Sequence, residues 1–243
     1  SLSSRFASIT NRQERRVAPV DIDVWMNDLI DQLMIEFIER LVLVGLQGSR
    51  ARGEQREDSD IDVVVIVKDL NVEDFASYRS VIQKMPYAKL ACGFIGAPDV
   101  LAAWPRHDVF NLVNDTSIRY GSFDFMDTEF TAEEAKLAAD ACASEIYHAL
   151  CHTAVFEPDM LPDLLQGCLK SVFFGIRAKH FAQTGEFVNS RAQLLNLASD
   201  DEQWLLQAYN EDAQMDDQEL ANRLLRWSNN ELAGRDIHDH RES

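Results

Sequence analysis

Two short apolar runs, separated by one polar loop, constrain this chain more than any other feature. Residues 41–46 and 63–67 consist mostly of Leu, Val and Ile, and the loop between them opens on Gly48 and closes on an Asp-Ile-Asp triplet. Short apolar runs that are rich in β-branched side chains and bounded by turn residues predict buried strands. The sequence therefore predicts two strands joined by a polar loop.

The Asp-Ile-Asp triplet places two carboxylates where the second strand begins. Because side chains two residues apart on a strand project to the same face, we expect Asp60 and Asp62 to lie together while Ile61 turns into the core. Adjacent carboxylates repel each other unless a cation lies between them, and Mg²⁺ prefers oxygen ligands of this kind. At the other end of the loop, Gly48 and Ser49 offer backbone N–H groups and a hydroxyl to a phosphate. The pattern predicts a site for a metal-bound nucleotide.

This pattern resembles the signature of the nucleotidyltransferase superfamily that includes DNA polymerase β, and specifically its small-molecule branch. The signature is an apolar strand, Gly-Ser, a spacer, and Asp-apolar-Asp on the next strand; Gly48, Ser49, Asp60 and Asp62 match it, with Ser59 as commonly found. The resemblance implies that Gly48, Ser49 and Ser59 bind nucleotide, and that Asp60 and Asp62 are catalytic ligands of Mg²⁺. The alternative is a hairpin-like loop with a solvated acidic end.

Basic side chains are candidates for contacting the triphosphate, because Arg and Lys clamp transferring phosphates. Arg50 and Arg52 lie in the signature loop, whereas Lys170, Arg177 and Lys179 lie on a later helix. We favour Arg52, since the signature loop is closer to the expected phosphate position. Residues such as Lys170, Arg177 and Lys179 are more often solvated and paired with neighbouring acids.

The charge of the chain argues against one class of activity. Its 243 residues contain 41 acidic and 23 basic side chains, a net charge of −18. Proteins that act on long nucleic acids gain much of their affinity by neutralising phosphates, which this chain is poorly suited to do. A mononucleotide remains a suitable substrate, since one Mg²⁺ and a few local bases suffice. The acidity also favours a cationic acceptor, such as an aminoglycoside, by long-range attraction.

Hydrophobic periodicity divides the chain into two domains. After a mobile arm at residues 1–18, residues 19–128 alternate helices and strands, which predicts a small mixed β-sheet with helices on one side. Residues 129–235 carry helical periodicity and predict an all-α helical bundle, followed by a tail at residues 236–243. The predicted fold class is α+β, a nucleotidyltransferase domain followed by a bundle domain. This layout resembles kanamycin nucleotidyltransferase-type enzymes, and also minimal nucleotidyltransferases fused to the helical domain called HEPN.

One departure from the superfamily pattern concerns the metal site. The family usually places a third carboxylate on the next core strand, but the strand predicted at residues 89–95 contains no acid. Asp124 could be the third metal ligand if it folds back toward the metal; the alternative is a solvated loop residue that caps the first bundle helix. Without a third carboxylate, Asp60 and Asp62 could still bind a Mg²⁺-nucleotide and lack full catalytic power.

The first bundle helix supplies candidates for the base that deprotonates the acceptor hydroxyl. Glu145, His148 and His152 lie at positions i, i+3 and i+7 and form one stripe of that helix. In kanamycin-type enzymes the base resides on this helix, so the resemblance implies that Glu145 or His148 is catalytic, and histidine suits the role because it titrates near neutrality. The same stripe could instead bind zinc, or hydrogen-bond within the bundle.

The remaining features concern location and partners. Four cysteines form no close motif and have apolar neighbours, which predicts reduced core thiols in a cytoplasmic protein. No window is long and apolar enough to span a bilayer, so no membrane partner is expected. The resemblance favours a homodimer, for which the helix at residues 22–38 and the bundle side chains offer apolar surface; the same side chains could be buried within one monomer. The bundle side chains considered are Trp204, Leu205, Leu224, Leu225 and Trp227.

We therefore predict a Mg²⁺-dependent nucleotidyltransferase that moves a nucleoside monophosphate from a nucleoside triphosphate to a hydroxyl of an antibiotic-like small molecule or of a protein. The alternative is a nucleotide-binding regulatory or antitoxin-like module with weak or no turnover. The missing third acid is the feature that favours this alternative.

Overall fold

The computed structural model describes residues 19–209 and 216–234. They fall into two compact units, the first ending at Glu129 and the second beginning at Phe130. The arm expected at residues 1–18 and the tail expected at residues 236–243 lie outside the described residues. Of the helices in the described part, none has the length and apolarity that a membrane span requires.

A four-stranded mixed sheet forms the centre of the first unit. Its strands are β1 (Leu41–Gln47), β2 (Ile61–Val67), β3 (Ala91–Gly96) and β4 (Ser117–Gly121), in the spatial order β3-β2-β1-β4. β1 pairs antiparallel with β2 and β4, whereas β2 and β3 are parallel. The two apolar runs are thus the central strands, and they lack polar alternation because both of their faces are buried.

Five α-helices accompany the sheet in the described part of the first unit. They are α1 (Ile22–Phe37), α2 (Gly48–Arg52), α3 (Val72–Lys84), α4 (Pro98–Ala103) and α5 (Arg106–Asn114). Short 3₁₀ turns precede β1 and β3. The predicted α+β class, with a mixed sheet and helices, is confirmed.

Helices α1 and α3 cover one face of the sheet. Asp21 caps α1 by accepting a hydrogen bond from the Val24 N–H, and the Trp25 indole donates to the Pro86 carbonyl at 2.6 Å. The apolar stripe of α1 packs on alternate residues of β1 and β2. A helix repeats its buried face about every 3.6 residues, and a strand repeats each face every two residues. The buried residues in this layer include Trp25, Leu29, Leu33 and Phe37 of α1, and Val44, Leu46, Val63 and Val65 of the sheet.

The register of the sheet brings several chain ends to one edge. Gln47, at the end of β1, pairs with Asp62, and Asp62 pairs on its other side with Cys92 of β3. Leu46 pairs with Ser117, the first residue of β4. The residues that follow β1, begin β2 and precede β4 therefore meet at this edge, which we call the site edge.

The second unit is helical throughout its described elements. It contains α6 (Ala132–Phe156), α7 (Leu161–Thr184), α8 (Arg191–Leu195), α9 (Asp200–Ala208) and α10 (Asp217–Leu232), with a 3₁₀ turn between α6 and α7. The helix α6 begins with a capping box, α8 begins with a serine cap, and α7 ends at a glycine in the left-handed conformation. Helices α6, α7 and α10 pack against one another around an apolar core.

Burial in the core of this unit rules out a phosphate contact for one side chain and a dimer contact for three others. Arg177 is fully buried, with its guanidinium 4.6–5.0 Å from the centroids of three phenylalanine rings, so it is not placed to contact a triphosphate. Leu205, Leu224 and Trp227 are also buried in this core. They are therefore not surface residues through which a second copy could bind.

The prediction of four core thiols is wrong for two cysteines. Cys168 is buried, and burial raises the pKa of its thiol to about 12. Cys151 is exposed because the neighbouring Ala149 and Leu150 occupy the buried face of α6. Cys92 is exposed at the site edge.

Candidate active site

Gly48, the first residue of α2, lies directly against Asp62. Its φ is 71°, a left-handed conformation that favours glycine, and a Cβ at this position would be 2.2 Å from the Asp62 Oδ2 atom. The approach follows from the register, because the chain leaves β1 immediately after Gln47, the partner of Asp62. Any side chain at position 48 would therefore displace the carboxylate.

The two aspartates flank a core residue. Ile61 is fully buried, Asp62 is half-buried within β2, and Asp60 is exposed just before the strand. The buried side chain of Arg50 fixes the backbone here: its Nη2 donates to the Ser59 carbonyl at 2.8 Å, and its Nε to the carbonyls of Ser59 and Asp60 at 3.2 Å. Arg50 thus orients the start of β2, and its donors face the protein's own carbonyl groups.

The two predicted serines occupy different environments. Ser49 is half-buried and second in α2, where the backbone N–H groups of a helix have no intrahelical acceptor. Its hydroxyl and N–H therefore lie at the start of α2, beside Gly48. Ser59 closes a turn in the loop, since its hydroxyl accepts from the Arg56 N–H at 2.8 Å and its own N–H donates to the Arg56 carbonyl at 3.1 Å.

Arg52, which the sequence favours as a triphosphate contact, is held by two carboxylates. Its Nε donates to Glu54 at 3.1 Å, and its Nη1 to both oxygens of Asp115 at 2.9 and 3.1 Å. The Asp115 Oδ2 also accepts from the Gly48 N–H at 3.2 Å. Sequence reasoning missed Asp115, which follows α5 and belongs to no motif. The signal that could have revealed it is the pairing of β4 with β1, which puts the residues before β4 next to those after β1.

Cys92 lies where the superfamily pattern leads one to expect a third carboxylate. It pairs with Asp62 on the neighbouring strand. Paired residues on adjacent strands project to the same face of a sheet, so the thiol lies on the same face as the Asp62 carboxylate. The site edge therefore has a thiol in place of a carboxylate at that position.

The structure does not gather Asp124 with the signature aspartates. Across residues 19–209 and 216–234, no three His, Cys, Asp or Glu side chains lie close enough together to hold a metal ion. Asp124 is exposed in the turn after β4, where its N–H donates to the Ser122 hydroxyl at 3.4 Å. Two carboxylates nevertheless fit a nucleotide-bound Mg²⁺, which is commonly held by one or two carboxylates plus substrate phosphates. Because Gly48 has no side chain, the turn after β1 lies directly against the Asp62 carboxylate.

The stripe on α6 forms as predicted. Glu145, His148 and His152 are exposed on this helix, and the two imidazole rings are stacked with their centroids 6.2 Å apart. The three side chains do not form a metal-binding group in the described part of the chain. Their exposure leaves Glu145 and His148 accessible for proton transfer.

Comparisons with known proteins agree with the fold. Residues 30–90 match the family model of the nucleotidyltransferase domain, and a comparison with curated proteins gave no match. Among solved structures, spectinomycin adenyltransferase AAD(9) from Enterococcus faecialis, crystallised with ATP and spectinomycin, is similar over 87% of this chain and 99% of that chain, with 12% identity and a TM-score of 0.56. A toxin-antitoxin crystallised with AMP-PNP matches over 56% and 98%, with 20% identity and a TM-score of 0.30, too low to support an argument.

The family match and the fold agree on the class of this protein. Residues 30–90 match the nucleotidyltransferase domain, which confirms the resemblance and the enzyme class predicted from the Gly-Ser and Asp-Ile-Asp pattern. Over most of its length the chain has the fold of the spectinomycin adenyltransferase.

Proposed function

We propose that this protein transfers a nucleoside monophosphate from a Mg²⁺-bound nucleoside triphosphate to a hydroxyl of a small molecule. The observation that carries the proposal is the contact between Gly48 and the Asp62 carboxylate. It places a backbone turn with no side chain beside one of two adjacent carboxylates, within a domain of the matching family. A solvated acidic hairpin would not require glycine at that position.

Each residue of the signature has a distinct proposed role. Ser49 binds the β- and γ-phosphates through its hydroxyl and N–H. Gly48, whose N–H donates to Asp115, allows the turn that carries Ser49 to lie against Asp62. Asp60 and Asp62 would hold Mg²⁺, which when bound stabilises charge on the α-phosphoryl group and the leaving pyrophosphate. Ser59 shapes the loop before β2 through its turn with Arg56.

The two proposed bases lie on α6. In the transfer, the acceptor oxygen forms a bond to the α-phosphorus, the bond from that phosphorus to pyrophosphate breaks, and the hydroxyl proton passes to Glu145 or His148. Alanine at the residue that accepts the proton should lower kcat by roughly 10²- to 10⁴-fold with little change in nucleotide affinity. Wild-type turnover in both alanine variants would mean that neither Glu145 nor His148 takes part in the chemistry of transfer.

The proposed acceptor is a small cationic molecule. The net charge of −18 attracts cations to the protein, and the adenyltransferase of the same fold was crystallised with both ATP and a small molecule, spectinomycin. A hydroxyl on a protein is the second acceptor to be tested. Arg52 remains a proposed nucleotide contact. Its guanidinium lies near the Gly48 turn, because both it and the Gly48 N–H donate to Asp115.

One observation favours a second function, a nucleotide-binding regulatory or antitoxin-like module with weak turnover. Cys92, and not an acid, pairs with Asp62. Two carboxylates can bind a Mg²⁺-nucleotide complex, but a third would add to the charge that stabilises the transition state. The module would therefore bind nucleotide and turn over slowly.

A product screen tests the proposed function. The protein is incubated with Mg²⁺-ATP and panels of aminoglycosides, lincosamides and protein substrates, and mass spectrometry records the addition of adenylate. The proposal predicts an adenylylated small molecule that is absent with Asp62→Asn. Tight Mg²⁺-ATP binding without any adenylylated product would favour the regulatory module.

A further inference from the structure

A buried carboxylate lies behind the Gly48 turn and joins both ends of α2. The Asp115 side chain is 6% exposed and that of Arg52 is 11% exposed. Asp115 accepts from the N–H of Gly48, the first residue of α2, and from the guanidinium of Arg52, the last. Asp115 lies shortly before β4, and it is 67 residues from Gly48 and 63 from Arg52 in sequence, so this one side chain links α2 to a distant part of the chain.

We propose that Asp115 is a positioning residue that holds the Gly48 turn against Asp62 and thereby sets the geometry of the nucleotide site; the proposal rests on the proposed function. Asp115 itself touches neither substrate nor metal in this account, since its oxygens face Gly48 and Arg52. Without the carboxylate, a buried N–H and a largely buried guanidinium each lose an acceptor. Gly48 is then no longer held against the Asp62 carboxylate.

The test compares variants of the full-length chain by calorimetric titration with Mg²⁺ and a non-hydrolysable ATP analogue. Asp115→Asn keeps an oxygen for the Gly48 N–H and removes the charge facing Arg52, whereas Asp115→Ala removes both. We expect the affinity to fall by about 10- to 100-fold, the range typical of residues that orient a metal site, with the larger loss for alanine. Asp99→Asn, the same chemical change at an exposed position on α4, should leave the affinity unchanged.

A double variant separates positioning from a purely structural role. Arg52→Gln alone leaves the buried Asp115 carboxylate without the guanidinium, whereas Arg52→Gln combined with Asp115→Ala removes both buried charges, so the double variant should melt at or above the temperature of Arg52→Gln. Because Arg52 is itself a proposed nucleotide contact, the affinity of the double variant is compared with that of Arg52→Gln. The proposal predicts that the double variant binds nucleotide more weakly although it is at least as stable. If the two variants bind nucleotide equally, Asp115 serves only the fold and the proposal is overturned.

Two other results would also contradict the proposal. Tighter nucleotide binding by Asp115→Asn would mean that the carboxylate competes with phosphate for Arg52 and Gly48. Wild-type affinity in Asp115→Ala would mean that the turn holds its place unaided. Failure of the proposed function gives a different result, because the product screen would then detect no adenylylated product with the wild-type protein, whatever the affinities of the Asp115 variants.

Discussion

At the scale of single residues, the absence of one methyl group defines the site. Gly48 and Gly53 both have a φ of 71°, so a side chain would strain the backbone equally at either position. Only at Gly48 would a Cβ meet a carboxylate, at 2.2 Å; at Gly53 it would meet no atom of the described residues within 4 Å. Gly48 begins α2 and Gly53 follows its last residue. The two glycines share one backbone conformation, but only Gly48 lies against the Asp62 carboxylate.

Gly48→Ala should therefore lose nucleotide binding, and Gly53→Ala should not. Both substitutions force an L-residue into the left-handed region, at a cost of about 1–2 kcal/mol in the free energy of unfolding. Only alanine at position 48 also displaces Asp62. Thermal unfolding and calorimetric titration with Mg²⁺-ATP would measure the two effects separately. Equal affinities in the two variants would show that the Gly48–Asp62 contact is not part of the nucleotide site.

Cys92 provides a chemical probe of the same site. Because it pairs with Asp62 and is exposed, bound Mg²⁺-ATP should shield its thiol from an alkylating reagent. The control is Cys92 in Asp62→Asn, which should react at the same rate with and without nucleotide because this variant no longer binds it. Peptide mass spectrometry over a time course measures both rates. Unchanged labelling of Cys92 at saturating nucleotide would place the nucleotide elsewhere.

At the scale of elements, an ion pair secures the start of α3. Asp74 accepts hydrogen bonds from Arg40 at 2.6 and 2.9 Å and from the Asn71 N–H at 2.9 Å, within a capping box. The hydrogen bonds from Arg40 are the main reason that the pKa of Asp74 lies below its usual 3.8. Ionised Asp74 therefore stabilises the fold at pH values above the unfolded-state pKa, and this contribution is lost as the pH falls through the lower folded-state pKa.

Asp74→Asn should accordingly lower the melting temperature at neutral pH, and the difference from the wild type should shrink as the pH falls below 3.8. Asp31→Asn, at an exposed position on α1, should have little effect at either pH. Thermal unfolding followed by circular dichroism across this pH range provides the measurement. A difference that persists unchanged in acid would mean that Asp74 acts by packing and not by charge.

Most elements could be predicted from the sequence because their signals are local. The apolar runs of β1 and β2, the stripe of α1, and the caps of α6, α7 and α8 each lie within one stretch of chain. β3 begins two residues later than predicted, because residues 88–90 form a 3₁₀ turn that the apolar pattern does not distinguish from a strand.

The candidate site was predictable only where a motif describes it. Gly48 and Asp62 belong to one motif, and the structure brings them together. Asp115 and Cys92 reach the same edge through strand pairing over a long separation in sequence, which no local pattern reveals. Arg50 carries the charge of a phosphate contact, yet its donors bind backbone carbonyls, a role that depends on the folded loop.

At the scale of the whole molecule, one apolar surface is available for a contact between two copies of the chain. The bundle side chains that could have formed a dimer contact are in part buried, but α1 retains an exposed apolar side. Met34, Ile35 and Ile38 lie on it, with Ile35 72% exposed. The homodimer that the resemblance favours would form its contact through this side of α1.

Light scattering at micromolar concentration should then give a mass near twice 27.6 kDa for the wild type. Ile35→Glu should reduce it to the monomer, because a charge would be buried without a partner. Val155→Glu places the same charge at a comparably exposed position, 68%, on α6 and should leave the dimer intact. A monomeric wild type would contradict the dimer.

The central claim is that Asp60 and Asp62 bind a Mg²⁺-nucleotide for transfer, and calorimetric titration with Mg²⁺-ATP tests it most directly. The wild type should bind ATP only when Mg²⁺ is present. Asp60→Asn and Asp62→Asn should each abolish binding while the protein stays folded, because each removes a charged ligand and relieves like-charge repulsion. Asp99→Asn serves as the exposed control. Wild-type affinity for Mg²⁺-ATP in both site variants would contradict the account.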